Sequence, residues 1–328
     1  MYLRMLVTLL LLSFVCSAQK PVIFDTDMGN DVDDALALGV LHALSNRGEC
    51  RLVGVTLTNA NPEAVPYIQL VNRFYGRPDI PVGSATKSIK GGADDHYLTA
   101  TLKSAPENLR HAKSTTRVEG AVPLLRKLLA QSTEKVTIVQ VGFSTNLAAL
   151  LDSKPDSISP LKGADLVRQK VALLSAMAGN FTGGQPEYNV KLDIPAARAV
   201  FEHWPSPIIF SGYEIGRDLL YPAASAEHDF SYVKWHPVAE SYRAYHKMPY
   251  NRPTWDLTAA LEAVRGDRNY FSVSEEGEVQ VGSDGKTAFQ PGKGDRRFLR
   301  LDPAKKSQIL EALTLLASEP PIGIARHE

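Results

Sequence analysis

The sequence predicts an α/β fold: an open, mostly parallel sheet with helices on both faces, plus a C-terminal antiparallel hairpin. Three observations carry this. Apolar runs of strand length alternate with apolar-periodic stretches of helix length, the pattern of parallel strands joined by crossover helices. Polar residues collect where the apolar runs end, which is where open α/β sheets hold their ligands. From about Asn269 to Leu301 the pattern changes to short alternating strands with Gly-rich turns.

The elements follow in order. Pro21 to Phe24 reads as a buried strand and Ala35 to Leu44 as the helix after it. Arg51 to Leu57 is a second strand, followed by a helix from Glu63 to Tyr75. A short strand at Pro81-Val82 leads into a polar stretch, 84 to 118, with weak periodicity. Gly120 to Gln131 is helical, Val136 to Val141 is a strand running into the turn Gly142-Phe143-Ser144, and Asn146 to Leu151 starts another helix. Strands at Val171 to Ala176 and Ile208 to Ser211 flank a helix from Ile194 to His203. Pro303 to Ala317 closes the chain as a helix.

The chain of 328 residues is 44% hydrophobic, ample for a core. Acidic and basic residues number 36 each, so no net field draws in nucleic acid or an anionic membrane, and a small, near-neutral partner is expected. Residues 1–18 read as a secretory signal peptide. Arg4 precedes an apolar run, Leu6 to Val15, too short to span a bilayer, and Cys16-Ser17-Ala18 offers small residues before a cut at Gln19. A lipid-anchored Cys16 is the alternative, disfavoured by the bulk of Val15. A secreted or periplasmic mature chain, residues 19–328, is expected as one domain, with Cys50 its single cysteine and no membrane attachment.

Phe24-Asp25-Thr26-Asp27-Met28-Gly29-Asn30-Asp31-Val32-Asp33-Asp34-Ala35 places five aspartates in ten positions between a strand and a helix. Capping a helix needs one carboxylate. Five repel one another unless a cation is held, and oxygen-only ligands suit a hard ion such as calcium or magnesium. Polar clusters also follow the other strands: Thr56 to Asn61, Val141 to Asn146, and Met177 to Asn189 with Asn180 and Glu187. Downstream, Arg252-Pro253-Thr254-Trp255-Asp256 precedes a helix.

In these stretches the chain resembles the inosine–uridine-preferring nucleoside hydrolase family. The family's D-T-D-P-G-x-D-D-A is matched with Met28 for Pro and two extra residues before the paired aspartates. Val139 to Asn146 matches a V-P-T-G-P-L-T-N-like turn; Gly179-Asn180 through Glu187-Tyr188-Asn189 matches G-N-x-x-P-x-A-E-F-N; and Trp255-Asp256 stands for the late H-D. The resemblance implies an open α/β sheet, one bound calcium, hydrolysis of the N-glycosidic bond of ribonucleosides, and a homodimer or homotetramer. By position it makes Asp27, Asp34, Asp256 and the Val141 carbonyl the calcium ligands. Asp27 becomes the general base for a water beside the ion, and Asp33, Asn61, Asn180, Glu187 and Asn189 the partners of the ribose hydroxyls. Asp31 is left as N-cap or support, and Asp25 as a residue orienting the metal site.

Trp255 replaces the histidine associated with protonating the departing base. Indole stacks on a base but donates no proton usefully. Three readings stay open: Trp255 stacks on a purine that another acid or solvent protonates; Tyr245, His246 or Tyr250, upstream on what reads as a mobile loop, is the donor; or the leaving group is not a normal nucleobase. His96 lies where the family has a histidine near the site. Two rival readings differ in class. A haloacid-dehalogenase-like phosphatase needs D-x-D-G-[TV], which Met28-Gly29-Asn30 breaks. A non-catalytic, calcium-dependent nucleoside- or sugar-binding protein, or a hydrolase of another N-riboside, keeps the site but changes the outcome.

Overall fold

The computed structural model describes residues 19–87, 89, 96–110 and 118–324. The leader expected at 1–18 lies outside them. In chain order, β1 (Lys20–Thr26) leads to α1 (Asp33–Asn46), β2 (Cys50–Leu57) to α2 (Ala64–Phe74), and β3 (Val82–Ser84) to α3 (His96–Ser104) and α4 (Glu107–Arg110). Next come β4 (Glu119–Gly120) and α5 (Ala121–Gln131), β5 (Val136–Gln140) with α6 (Thr145–Asp152) and α7 (Gly163–Lys170), and β6 (Val171–Met177) with α8 (Tyr188–Leu192) and α9 (Ile194–His203). β7 (Ile208–Ser211) is followed by α10 (Tyr213–Arg217), β8 (Leu220–Tyr221), α11 (Ala223–His228), α12 (Pro237–Tyr245), β9 (Arg252–Pro253) and α13 (Trp255–Arg265). The last elements are β10 (Ser272–Val273), β11 (Gly277–Val281), β12 (Thr287–Pro291), β13 (Arg296–Arg300) and α14 (Lys306–Ala317).

Eleven strands form one sheet in the order β12–β11–β13–β7–β6–β5–β1–β2–β3–β4, with β10 on β13. Every pairing from β13–β7 across to β3–β4 is parallel. The antiparallel pairs lie at the C-terminal end, β11–β12, β11–β13 and β10–β13. The expected hairpin is present, and through β13 it extends the main sheet rather than standing apart.

β1 is buried along almost its whole length. Val22 and Phe24 enter one apolar cluster and Ile23 the other, as the two-residue period of a strand requires. A strand covered on both sides reads as a continuous apolar run, which is how Pro21–Phe24 reads. The sheet grows in both directions from β1, toward β2 and toward β5. This switch leaves a crevice beyond the carboxyl ends of the two strands. The Val141 N–H donates to the Asp25 carbonyl at 2.8 Å, tying the end of β5 to the end of β1.

Two stretches differ from expectation. The polar region 84–118 holds α3 and α4, with Tyr97, Leu98 and Thr101 buried; residues 88, 90–95 and 111–117 fall outside the described residues. The loop expected upstream of Trp255 holds helix α12, which ends at Tyr245. Among the described residues, no helix is long and apolar enough to cross a membrane.

Candidate active site

The chain leaves β1 at Thr26 and turns into α1 through Gly29. Its φ is +108°, and a Cβ there would stand 2.5 Å from Asn61 Nδ2 and 2.9 Å from Leu98 Cδ1, so the turn requires glycine. Val32 caps α1 without a side-chain hydrogen bond, and the buried Asp33 and Asp34 occupy its first turn. The amino end of a helix favours such negative charge. Buried Asp256 comes from the first turn of α13. One oxygen from each of Asp33, Asp34 and Asp256 lies within 4.8 Å of the others.

Hydrogen bonds aim this trio. The Asp256 N–H donates to Asp33 Oδ2 at 3.1 Å. The Thr26 hydroxyl donates to Asp34 Oδ1 and accepts the Met28 N–H at 3.1 Å. At such separations like charges repel by about 3–4 kcal/mol per pair at an effective dielectric of about 20. Burial pushes all three carboxyls well above their ordinary range, and neighbouring aspartates push further: Asp31 on Asp33, Asp27 on Asp34, Asp33 on Asp256. Asp27 lies outside the close trio but lines the same cavity; burial, then the charges of Asp31 and Glu187, raise it to about 7. Protons or a cation must relieve this charge, and a hard divalent ion fits an all-oxygen donor set.

The cavity, about 320 Å³, has the aspartates along one side and Tyr213, Tyr245 and Trp255 as an aromatic wall. Val141 and Asn189 also line it. Asn189 Nδ2 donates to the Val141 carbonyl at 2.8 Å, leaving that oxygen a second lone pair for a cation. Glu187 lines the cavity and caps α8: its carboxylate accepts the backbone N–H groups of Asn189, Gly179 and Val190. Burial raises it to about 7 against the pull of those donors. The indole N–H of Trp255 donates to the Tyr213 carbonyl at 2.9 Å, so the cavity is offered ring surface and not a donor. Arg252 grips Asp31 through Nε and Nη2, with its guanidinium 5.0 Å from the Tyr245 ring centre and 5.5 Å from that of Trp255.

Of the residues singled out in the sequence, Asp27, Asp33, Asp34, Val141, Glu187, Asn189, Tyr245, Trp255 and Asp256 share this cavity. Asn61, Asn180 and His246 are not among its lining residues. Asn61 is buried and accepts the Glu63 N–H, while Asn180 is occupied by Thr182 and Gln185 within its own loop. His246 is exposed and packs on Tyr245 and Tyr250; the Tyr250 hydroxyl donates to the Tyr242 carbonyl. His96 Nε2 meets the Ala244 carbonyl at 2.9 Å, at the end of α12.

Asp31 is not the cap of α1 but the partner of Arg252. The Asp25 side chain does not reach the trio; it accepts from Thr56 and Asn146 and holds β1 to β2 and α6. Tyr213, Asn30 and Tyr188 line the cavity unforeseen. Tyr213 stands two residues past the end of β7, the strand-end position that gave the other clusters, and that signal was there to find.

A family model for the inosine-uridine preferring nucleoside hydrolase matches residues 22–312. The pyrimidine-specific ribonucleoside hydrolase RihA of Salmonella enteritidis PT4 (strain P125109) is 32% identical over 214 residues, 63% of this chain and 64% of the relative's length. The fold is similar to a crystal structure of an inosine-uridine preferring nucleoside hydrolase from Bacillus anthracis, with a TM-score of 0.72 and 20% identity over 92% of this chain and all of that one. It is similar also to a plant nucleoside hydrolase, with a TM-score of 0.68 and 20% identity over 92% and 99% of the two chains. The matched span takes in most of β1, both paired aspartates, Glu187 and Asp256, and the chain belongs to the inosine-uridine preferring nucleoside hydrolase family.

Proposed function

We propose that this protein hydrolyses the N-glycosidic bond of ribonucleosides, with calcium held in the aspartate cluster, to give ribose and a free base. The observation that carries the proposal is the buried trio Asp33, Asp34 and Asp256 beside an aromatic-walled cavity. Asp34, Asp256, Asp27 and the Val141 carbonyl are its calcium ligands, hard oxygens from three separate segments of the chain. Bound there, calcium supplies positive charge that orients the sugar's 2′- and 3′-hydroxyls and polarises water.

Asp27 accepts a proton from water as the water oxygen bonds to C1′. The C1′–N bond breaks and its electron pair leaves with the base. Asp33, Glu187 and Asn189 hold ribose hydroxyls, and the negative charge of Asp33 and Glu187 favours the cationic sugar that forms. The base leaves along Trp255 and Tyr245, whose rings suit stacking. Burial, and then the neighbouring Asp31 carboxylate, push the Tyr245 hydroxyl up, so it keeps its proton, and the departing base takes its own from solvent.

Residues 19–328 are proposed as one domain on the strength of the eleven-stranded sheet, which takes strands from both ends of the chain, β1 and β13. A secreted or periplasmic location rests on residues 1–18 alone. The functional test is ribose release from inosine, adenosine and uridine by the purified protein, with and without chelator. Release that chelator abolishes and calcium restores is expected. Asp27→Ala should lose turnover by several orders of magnitude with its fold intact. Nucleoside binding without ribose release would make the protein a receptor instead.

A further inference from the structure

Two departures from the family pattern meet across the cavity. One is the stretch Asn30-Asp31-Val32 between Gly29 and the paired aspartates, where the family pattern has a single residue. The other is Tyr188, where the family's E-F-N places a phenylalanine. Both Asn30 and Tyr188 line the cavity. The Tyr188 hydroxyl donates to Asn30 Oδ1 at 3.3 Å, and Asn30 Nδ2 donates to Asp27 Oδ2 at 3.2 Å. No other side chain among the described residues donates to the Asp27 carboxylate. The donors all point one way: phenol to amide, amide to carboxylate. The hydroxyl that phenylalanine lacks is therefore the group that fixes the amide, and the amide holds the carboxylate.

We propose that Asn30 is a positioning residue for Asp27 and that Tyr188 acts through it. Asn30 engages Oδ2 and so sets the rotation of the carboxylate, leaving Oδ1 for the attacking water. Tyr188 keeps the amide from turning its oxygen toward Asp27, which would repel the carboxylate. Asp31 in the same stretch serves the same end: bound by Arg252, it fixes the loop that carries Asn30. This inference rests on the reading of Asp27 as ligand and base.

The test is a double-mutant cycle of Asn30→Ala and Tyr188→Phe, read in two ways: calcium affinity by calorimetry and kcat against KM for ribose release. Groups that orient a metal ligand typically change affinity or activity about 10–100-fold when lost. Asn30→Ala should fall in that range for kcat and weaken calcium, with KM nearly unchanged. Tyr188→Phe should show a smaller loss of the same kind and add nothing once Asn30 is alanine. Asn30→Asp, which keeps the shape but puts an acceptor against Asp27, should be at least as impaired as Asn30→Ala. Full kcat and calcium affinity in Asn30→Ala would overturn the proposal, as would losses that simply multiply in the double variant or a rise in KM alone. If the calcium cycle is non-additive but wild type hydrolyses no nucleoside, the hydrolase reading fails and the positioning role stands.

Discussion

Thr26 does two jobs with one oxygen: it accepts the Met28 N–H and donates to Asp34. Thr26→Val keeps the shape and removes both bonds. Calcium affinity measured by calorimetry should then drop about 10–100-fold, with the circular dichroism unchanged; wild-type affinity would show that Asp34 needs no such support. Met28 belongs to the same arrangement, because the proline that the family places there has no N–H to give. Glu187 is bound differently. Its carboxylate is the cap of α8, so Glu187→Ala should cost about 0.5–2 kcal/mol of stability in denaturant unfolding, beyond any effect on substrate. A variant as stable as wild type would leave that cap without weight.

The site is an assembly of element ends, and α13 shows how closely they fit. A Cβ on Gly216 would meet Trp255 Cα at 2.4 Å and its backbone N at 2.5 Å. Gly216→Ala must therefore push the first turn of α13, which carries Asp256. Overpacking of this kind costs about 1–3 kcal/mol, and here calcium binding should weaken although no ligand is altered. Calorimetry together with thermal melting checks both, and an unchanged calcium affinity would mean that Asp256 tolerates the shift. How much could be read in advance follows from the same packing. β1, β2, β5, β6 and β7 were legible because strands buried on both faces are apolar throughout. The aspartate motif was legible because five carboxylates in ten positions exceed any structural need. By contrast α8, α10 and α11 span only five or six residues, too few for a helical period to show. In α3, the buried Tyr97, Leu98 and Thr101 make too narrow a stripe to stand out from the polar residues around it. The ends of side chains were illegible for another reason. That Asn180 turns into its own loop while Asn189 reaches the Val141 carbonyl is decided by tertiary contacts, not by residue type.

For the molecule as a whole, the aspartate cluster and two buried histidines set opposite responses to pH. His42 and His236 are held neutral by burial, near 3, below their ordinary 6.5. The unfolded chain binds more protons between those values, so stability falls as pH drops below about 6.5, with or without metal. Asp33, Asp34 and Asp256 have folded values raised above 3.8, so in the metal-free protein their contribution is full below that pH and is lost as pH rises. A bound cation takes over from those protons, and the gain in melting temperature on adding calcium should widen from pH 5 to pH 8. At a hundred times Kd the gain corresponds to about 2.7 kcal/mol. A gain independent of pH would mean that the carboxylates were already ionised without the ion. The convergence of separate chain segments on one cation is tested most directly by calcium titration of chelator-treated protein in the calorimeter, wild type against Asp256→Asn. One site per chain in wild type, and its loss in the variant, is the predicted result. Equal binding by both, or none by wild type, would contradict it.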